Sequence, residues 1–140
     1  MHRALLARCP QGPMSSALTR GILVTVRSRY IPEKSSVSAR QYAFAYTVNI
    51  ANRGSIAAQL ESRHWIITDA DGDVQEVRGE GVVGAQPVLQ PGEEFEYTSW
   101  CMIATPTGTM RGSYQMVDAE GDRFDAEIAP FKLTPDNLLN

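Results

Sequence analysis

The sequence predicts an all-β fold, an immunoglobulin-like or fibronectin type III-like β-sandwich of about seven antiparallel strands. From residue 21 onward, apolar residues recur mostly at every second position, which is the spacing of half-buried strands. Turn-forming residues separate these runs at the short intervals typical of sandwiches. Helical and strand patterns do not alternate, so a parallel sheet is not indicated. A chain of 140 residues can bury one core without disulfides or metal.

The first two strands have the clearest patterns. Ile22, Val24 and Val26 alternate with Leu23, Thr25 and Arg27, which predicts an N-terminal strand. The second strand covers residues 42–50, and residues 52–55 after it form a turn cluster. In this strand five large apolar side chains alternate with smaller or polar ones: Tyr42, Phe44, Tyr46, Val48 and Ile50.

Residues 56–69 allow two interpretations. The first half suits a helix, because Ile56 and Leu60 are one helical turn apart. Residues 65–68 favour a strand, and Asp71-Gly72 behind them is a strong hairpin signal. We predict a segment that is mainly strand, with a helical beginning as the alternative.

The rest of the chain continues as short strands and turns. Residues 74–78 return as the hairpin partner, and residues 79–92, rich in glycine and proline, are predicted to be a loop. Tyr114, two residues before an inward Met116, is a candidate for the tyrosine corner of such sandwiches. Further alternating runs cover residues 94–97, 110–116 and 124–128, with a hairpin tip at 120–122 and a last apolar pair at Phe131 and Leu133.

The chain begins with a basic segment. Residues 1–20 contain Arg3, Arg8 and Arg20 and no acid. Their apolar run is too short for a secretory signal, which needs roughly 7–15 apolar residues. We expect a flexible tail over 1–20, or a start codon placed too far upstream, with Met14 as the true first residue. The predicted domain then covers 21–135, and 136–140 form a C-terminal tail.

Composition argues against several function classes. A net charge of -3 and a pI near 5.3 are not those of a nucleic-acid-binding protein. No apolar run approaches the roughly 20 residues of a membrane helix. Cys9 lies in the tail and Cys101 in a strand pattern, so no disulfide framework is indicated. We expect Cys101 to be reduced, buried and inert, which favours a cytoplasmic location.

A glycine motif is the main candidate for chemistry. Residues 79–84 match G-x-G-x-x-G. A dinucleotide-binding fold would need a helix directly after them, which β-branched Val82-Val83 and Pro87 disfavour. Glycine amides can still form an anion nest without a helix. The candidate phosphate-binding residues are Arg78, Gly79, Gly81 and Gly84. In the alternative interpretation, these glycines only supply positive φ.

Other reactive side chains form weaker patterns. Asp69, Asp71, Asp73 and Glu80 stand at positions 1, 3, 5 and 12 of a calcium loop, but the sixth position lacks the required glycine. We therefore expect an acidic hairpin tip there. His64 does not stand at metal-ligand spacing from cysteine or carboxylates. The sequence also lacks the G-x-S-x-G motif that carries the nucleophile of an α/β-hydrolase, so His64 and Ser99 do not indicate a hydrolase. No catalytic residue, metal site or cofactor is predicted.

Several runs of residues together resemble the ApaG domain family, over residues 21 to about 135. The resemblance implies a small fibronectin type III-like sandwich, cytoplasmic in bacteria and linked with cobalt and magnesium efflux. It also implies a phosphate or pyrophosphate at Gly79, Gly81 and Gly84, and protein-interaction roles in eukaryotic relatives. The matching runs are residues 42–48, 62–69, 76–87, 89–93, 105–114 and 128–131.

These observations define the expected function. We expect a non-catalytic ApaG-type binding module that holds a protein partner, with a link to metal efflux that is indirect. Its glycine loop is a candidate site for pyrophosphate or a dinucleotide polyphosphate, beside the interpretation in which the loop is only structural. The alternative is an enzyme or regulator acting on nucleotide polyphosphates. A third interpretation is a homo-oligomer, because an uncovered edge strand can pair with its copy. Neither nucleic acid nor a membrane is an expected partner.

Overall fold

The computed structural model describes residues 13–135. They form an antiparallel β-sandwich, which confirms the predicted fold class. The predicted tail residues 1–12, including Cys9, and 136–140 lie outside the described residues. The strands are β1 (Met14–Thr19), β2 (Ile22–Tyr30), β3 (Tyr42–Asn52), β4 (Ala58–Asp69), β5 (Val74–Glu80), β6 (Val88–Leu89), β7 (Glu94–Ile103), β8 (Gly108–Asp118) and β9 (Arg123–Leu133).

The first sheet has the strand order β1-β2-β3-β7, and every pairing is antiparallel. Arg20 and Gly21 form the tight turn between β1 and β2, and both have positive φ. A two-residue hairpin turn with two positive φ values matches the right-handed twist of its strands. One turn of 3-10 helix, Pro32–Lys34, follows β2 and lies against β3.

The second sheet has the order β5-β4-β8-β9, with β6 paired to the beginning of β4. Its two hairpin tips are built alike. The Oδ1 atom of Asp69 accepts hydrogen bonds from the backbone of Asp71 and Asp73. In the second tip, Asp118 Oδ1 accepts the equivalent bonds from Glu120 and Asp122. In each tip a short aspartate side chain therefore satisfies turn amides, as in Asx turns.

The core lies between the two sheets and follows from the period of two in the sequence. Alternate residues of β3 and β4 point inward, and aromatic rings meet there. Trp65 contacts Tyr46, Tyr114 and Phe131, with ring centroids 5.1, 6.2 and 6.1 Å away. Such tilted and edge-on contacts add to the stabilisation from apolar burial. The largest side chains that are almost fully buried are Trp65, Tyr114, Phe44, Ile22, Ile50, Leu60, Met110, Met116, Ile128 and Leu133.

The structure corrects the prediction in three places. Residues 14–19 form β1, so the prediction of a flexible tail is wrong for them; β1 pairs with β2 along its whole length. The helical alternative for residues 56–69 is wrong, because β4 pairs with β8 from residue 58 and with β5 from residue 62. The predicted loop 79–92 is shorter, because Gly79 and Glu80 end β5 and residues 88–89 form β6.

Within residues 13–135, no helix has the length and apolar character needed to cross a membrane.

Candidate functional site

The glycine motif begins as a strand and ends as a tight turn. Gly79 pairs with Arg63 inside the β4–β5 ladder, whereas Gly81 and Gly84 have φ values of +66° and +82°. Val82 and Ala85 exchange backbone hydrogen bonds of 2.8 and 2.9 Å around a two-residue turn. No helix follows Gly84, in agreement with the sequence argument against a dinucleotide-binding fold.

A side chain would meet close contacts at two of the motif positions, with the end of a side chain at Gly79 and with the backbone at Gly81. A Cβ atom on Gly79 would lie 2.7 Å from the Arg63 guanidinium, which lies against this part of β5. A Cβ atom on Gly81 would lie 2.4 Å from the carbonyl oxygen of Ala85. Arg63 Nη1 donates hydrogen bonds to the carbonyls of Glu80 and Gly81, at 3.1 and 2.9 Å. These contacts give the glycines a structural role whether or not the motif also binds an anion.

Several amides of the motif already have partners within the fold. The backbone N–H of Gly81 donates to Glu61, and those of Val82 and Ala85 donate to each other's carbonyls. An anion nest needs successive N–H groups that converge on one point. These three amides are directed to the fold instead, which leaves the exposed guanidinium of Arg78 as the main group near the motif that could contact an anion.

Arg78 and Gly79 line an open cleft of about 460 Å³ on the second sheet, whereas Gly81 and Gly84 lie outside it. The structure therefore brings together two of the four predicted phosphate-binding residues. The other residues of the cleft come from three further strands and the end of β5: Ser62, Arg63, His64, Glu80, Ser113, Gln115 and Asp125.

A small charge network borders the cleft. His64 Nε2 lies 2.8 Å from Glu76 Oε1, and Arg78 Nη2 lies 3.4 Å from the same oxygen. The hydrogen bond with His64 lowers the pKa of the Glu76 carboxyl, and Arg78 and Arg111 add a smaller electrostatic effect. Arg78 is mostly exposed. It can therefore contact a ligand as well as Glu76.

His64 has a partner other than a serine nucleophile. It contacts Glu76 on the second sheet, whereas Ser99 lies on β7 of the first sheet, opposite Tyr46. These two residues therefore do not form a serine–histidine pair. Cys101 is a free thiol, and burial raises its pKa to about 12. At neutral pH it is protonated and a poor nucleophile.

The calcium-loop pattern is not assembled in space. Asp69 and Asp73 lie at the tip of the β4–β5 hairpin, whereas Glu80 pairs with Ser62 at the opposite end of β5. Seven residues of strand separate the two ends, about 20 Å at the usual rise per residue. The aspartates instead shape the turn, as the expectation of an acidic hairpin tip requires.

Tyr114 does not form a tyrosine corner. Its hydroxyl hydrogen-bonds the hydroxyl of Tyr97, which comes from the facing sheet, and the pair is buried. A corner tyrosine would bond a backbone group a few residues upstream. Burial raises the pKa of both hydroxyls. They are therefore neutral hydrogen-bonding groups that join the two sheets.

Sequence reasoning missed an exposed aromatic surface on the first sheet. Trp100 is 50% exposed on β7, and Lys34 Nζ lies 5.4 Å from the centroid of its ring. Arg29 and Trp100 flank Ala45 in the same row of the sheet. We call Arg29, Lys34 and Trp100 the tryptophan surface. The sequence contained one signal for it: Trp100 has the same strand parity as Glu94 and Glu96, which indicates an outward side chain.

Comparisons with known proteins identify the family. Residues 32–118 match the family model of the ApaG domain. The chain is 57% identical to the protein ApaG of Anaeromyxobacter dehalogenans, over 91% of this chain and all of that protein. It is also 57% identical to the protein ApaG of Ralstonia nicotianae, over 85% of this chain and 96% of that protein.

A solved structure agrees with this assignment. The crystal structure of the putative ApaA protein from Bordetella pertussis matches with a TM-score of 0.80 and 54% identity. The match covers 90% of this chain and 98% of that one. At this identity, similarity of sequence and of fold indicate the same family. The chain belongs to the ApaG domain family.

Proposed function

We propose that this chain is a non-catalytic binding module that holds another protein through the tryptophan surface. The observation that carries the proposal is the half-exposed indole of Trp100. Tryptophan and arginine are enriched among the residues that dominate binding energy at protein interfaces. An indole on an outer sheet face is available for such a contact without any change in the core.

The charges around Trp100 indicate the chemistry of the partner. Lys34 contacts the ring, and Arg29 lies two strands away in the same row. Both cations are on the outer side of the first sheet, so an acidic segment with an apolar anchor would complement this surface. The protonated Cys101 thiol and the separation of His64 from Ser99 support a role without catalysis.

Affinity capture with matched variants tests this proposal. The wild-type protein, Trp100→Ala and Val88→Ala are immobilised and exposed to a lysate of the source organism. Val88 is the control, because it is similarly exposed at 52% and lies on the other sheet. A partner held by wild type and Val88→Ala but lost with Trp100→Ala supports the surface. A partner held equally by all three proteins contradicts it.

A second candidate function is binding of pyrophosphate or a dinucleotide polyphosphate in the cleft beside β5. It is favoured by Arg78 and Gly79, which line the cleft together with Ser113, whose hydroxyl accepts a hydrogen bond from Gln115 and can donate its own proton to a ligand. Glu80 and Asp125 line the same cleft and oppose an anion. We therefore expect weak binding that depends on Arg78 and decreases with salt.

Titration with pyrophosphate, followed at the amide signals of residues 79–84, tests the cleft. Concentration-dependent shifts in wild type that disappear in Arg78→Ala, but remain in Arg27→Ala, support it. Signals that do not move at millimolar pyrophosphate contradict it. If the protein is instead an enzyme acting on nucleotide polyphosphates, incubation with a dinucleotide polyphosphate and magnesium yields products; we expect none.

The proposal extends to the location of the protein and to its link with metal efflux. We propose that the protein acts in the cytoplasm, because Cys101 is a free thiol. The cobalt and magnesium efflux that the family resemblance implies would then depend on the protein indirectly. Its partner would be a transporter, or the bound nucleotide would be a signal.

A further inference from the structure

We propose that β5 pairs with β5 of a second copy of this chain, antiparallel and in one fixed register centred on Val77. In the described part of the chain, β5 is a terminal strand of its sheet. Its residues are exposed along almost the whole strand. An exposed edge strand offers a row of backbone donors and acceptors to a further strand.

The hydrogen bonds between β4 and β5 show which backbone groups of β5 remain for a further strand. Gly81 donates to Glu61 at one end of the hairpin, and Asp69 donates to Asp73 at the other. In an antiparallel ladder, bonded pairs alternate with non-bonded pairs. Odd-numbered residues of β5 therefore bond β4. The N–H and C=O groups of Val74, Glu76, Arg78 and Glu80 point away from it.

This parity restricts how two copies can pair. The outward groups of one strand must meet the outward groups of the other, so even-numbered residues must lie opposite even-numbered residues. Three registers with long overlap satisfy this condition, with their two-fold axes at Glu76, Val77 or Arg78. The side chains decide among them.

Charge selects the register centred on Val77. With the axis at Glu76, two glutamates face each other; with the axis at Arg78, two arginines do. Like charges directly opposite destabilise a strand pair. With the axis at Val77, each Glu76 lies opposite Arg78 of the other copy, and both pairs are attractive. The two Val77 side chains, 38% exposed in the single chain, then face each other.

The same register identifies the strong and weak parts of the interface. Within residues 13–135, the outward backbone groups of Glu76 and Arg78 bond no other strand, so each Glu76–Arg78 pair can form two backbone hydrogen bonds. The outer pairs, Val74 with Glu80, are weaker, because Arg63 already donates to the Glu80 carbonyl. A seven-residue strand buries less than the roughly 1,200 Å² of a standard interface. We therefore expect a weak, salt-sensitive dimer rather than a permanent one.

Charge reversal tests the register directly. Sedimentation equilibrium and NMR diffusion are measured in phosphate-free buffer at low salt, from about 10 µM to about 1 mM, the range of weak association. Wild type is expected to dimerise within this range. Glu76→Arg and Arg78→Glu each replace two attractive contacts by two repulsive ones, so each is expected to weaken dimerisation about tenfold or more.

Two further samples separate the register from a loss of folding. In an equimolar mixture of Glu76→Arg and Arg78→Glu, each arginine faces a glutamate again, so heterodimers are expected. The double variant with both exchanges is expected to dimerise as wild type does. Glu96→Arg, on β7, is the matched control and leaves dimerisation unchanged.

Three results would overturn the proposal. The first is a wild-type monomer across the whole concentration range, which would leave β5 free for a strand of a different protein. The second is single variants that associate as tightly as wild type. The third is a mixture of the two single variants that stays monomeric although the amide spectra show both to be folded.

Discussion

The two edges of the sandwich differ in the hydrogen bonds that join the two sheets. At the β1/β9 edge, short polar side chains bond the backbone of the facing sheet: Ser15 to Ala129 and Ser28 to Lys132, each at 2.8 Å. Thr19 accepts the backbone N–H of Glu127 there as well. We call this the closed edge.

The other edge consists of β5 and β7, the last strands of their sheets within residues 13–135, and we call it the open edge. A hydrogen bond joins the two sheets at this edge, and it is long: Gln75 Nε2 on β5 donates to the Met102 carbonyl on β7 at 3.5 Å. The bonds between the sheets stabilise the closed edge, whereas β5 at the open edge is exposed along almost its whole length, as the proposed pairing of two copies requires. The comparison shows that, within the described residues, hydrogen bonds between the two sheets are concentrated at the closed edge.

Loss of Arg63 is expected to have the largest effect, because this residue holds the end of β5 on the open edge. Arg63→Met removes two hydrogen bonds from a charged donor to the carbonyls of Glu80 and Gly81. We expect a decrease in the free energy of unfolding of about 2–3 kcal/mol, measured by urea denaturation. Arg27→Met, which removes an exposed arginine from β2, is the control. An unchanged stability would show that β5 is held by its ladder alone.

Two alanine substitutions in the glycine motif separate the cost of a close contact from the cost of a positive φ. Gly81→Ala meets the Ala85 carbonyl and also a positive φ, whereas Gly84→Ala meets only a positive φ. We expect losses of about 2–3 kcal/mol and about 1 kcal/mol respectively. Urea denaturation of both variants measures the difference. Equal losses would contradict the packing argument.

Removal of one inter-sheet bond tests the closed edge. Ser28 is 1% exposed, and Ser28→Ala leaves the Lys132 carbonyl without this donor. We expect a loss of about 1 kcal/mol, the usual contribution of a single hydrogen bond. Ser16→Ala, at an exposed position of β1, is the matched control and should change little. Thermal unfolding of both variants decides whether these serines join the sheets.

The smallest expected effect concerns pH and the Glu76–His64 contact. The pKa of Glu76 is lowered below 4.5 by the hydrogen bond with His64, so the folded state binds this proton less tightly than the unfolded state. The resulting stability is present above pH 4.5 and is lost as pH falls through the lowered value. Glu76→Gln and His64→Gln should each reduce the decrease in the free energy of unfolding at acid pH, measured by urea denaturation at a series of pH values. A pH dependence of stability as steep as in wild type would show that the Glu76–His64 contact does not stabilise the folded state.

Much of the fold could be predicted from the sequence because apolar residues at every second position mark a buried strand face. This held for β2 and β3, whose inward residues include Val24, Phe44 and Val48. It failed for β1, because Met14 and Leu18 point outward at 56% and 64% exposure. Backbone pairing and serine and threonine side chains hold β1, and these leave no hydrophobic period.

The site could be predicted only in part, because a motif gives residues adjacent in sequence and not those adjacent in space. The glycine pattern led to Arg78 and Gly79, which line the cleft, but equally to Gly81 and Gly84, which do not. Arg63 was missed, since its partners lie 17 and 18 residues away and no local pattern connects them. Only the pairing of β4 with β5 brings these groups together.

Amide hydrogen exchange along β5 tests the central claim, that β5 at the open edge pairs with a second copy of the chain. The amides of Glu76 and Arg78 point outward, whereas that of Val77 bonds β4 in the monomer. We predict that exchange at Glu76 and Arg78 slows as protein concentration rises, while exchange at Val77 stays slow at every concentration. Exchange at Glu76 and Arg78 that is fast and independent of concentration would contradict the account.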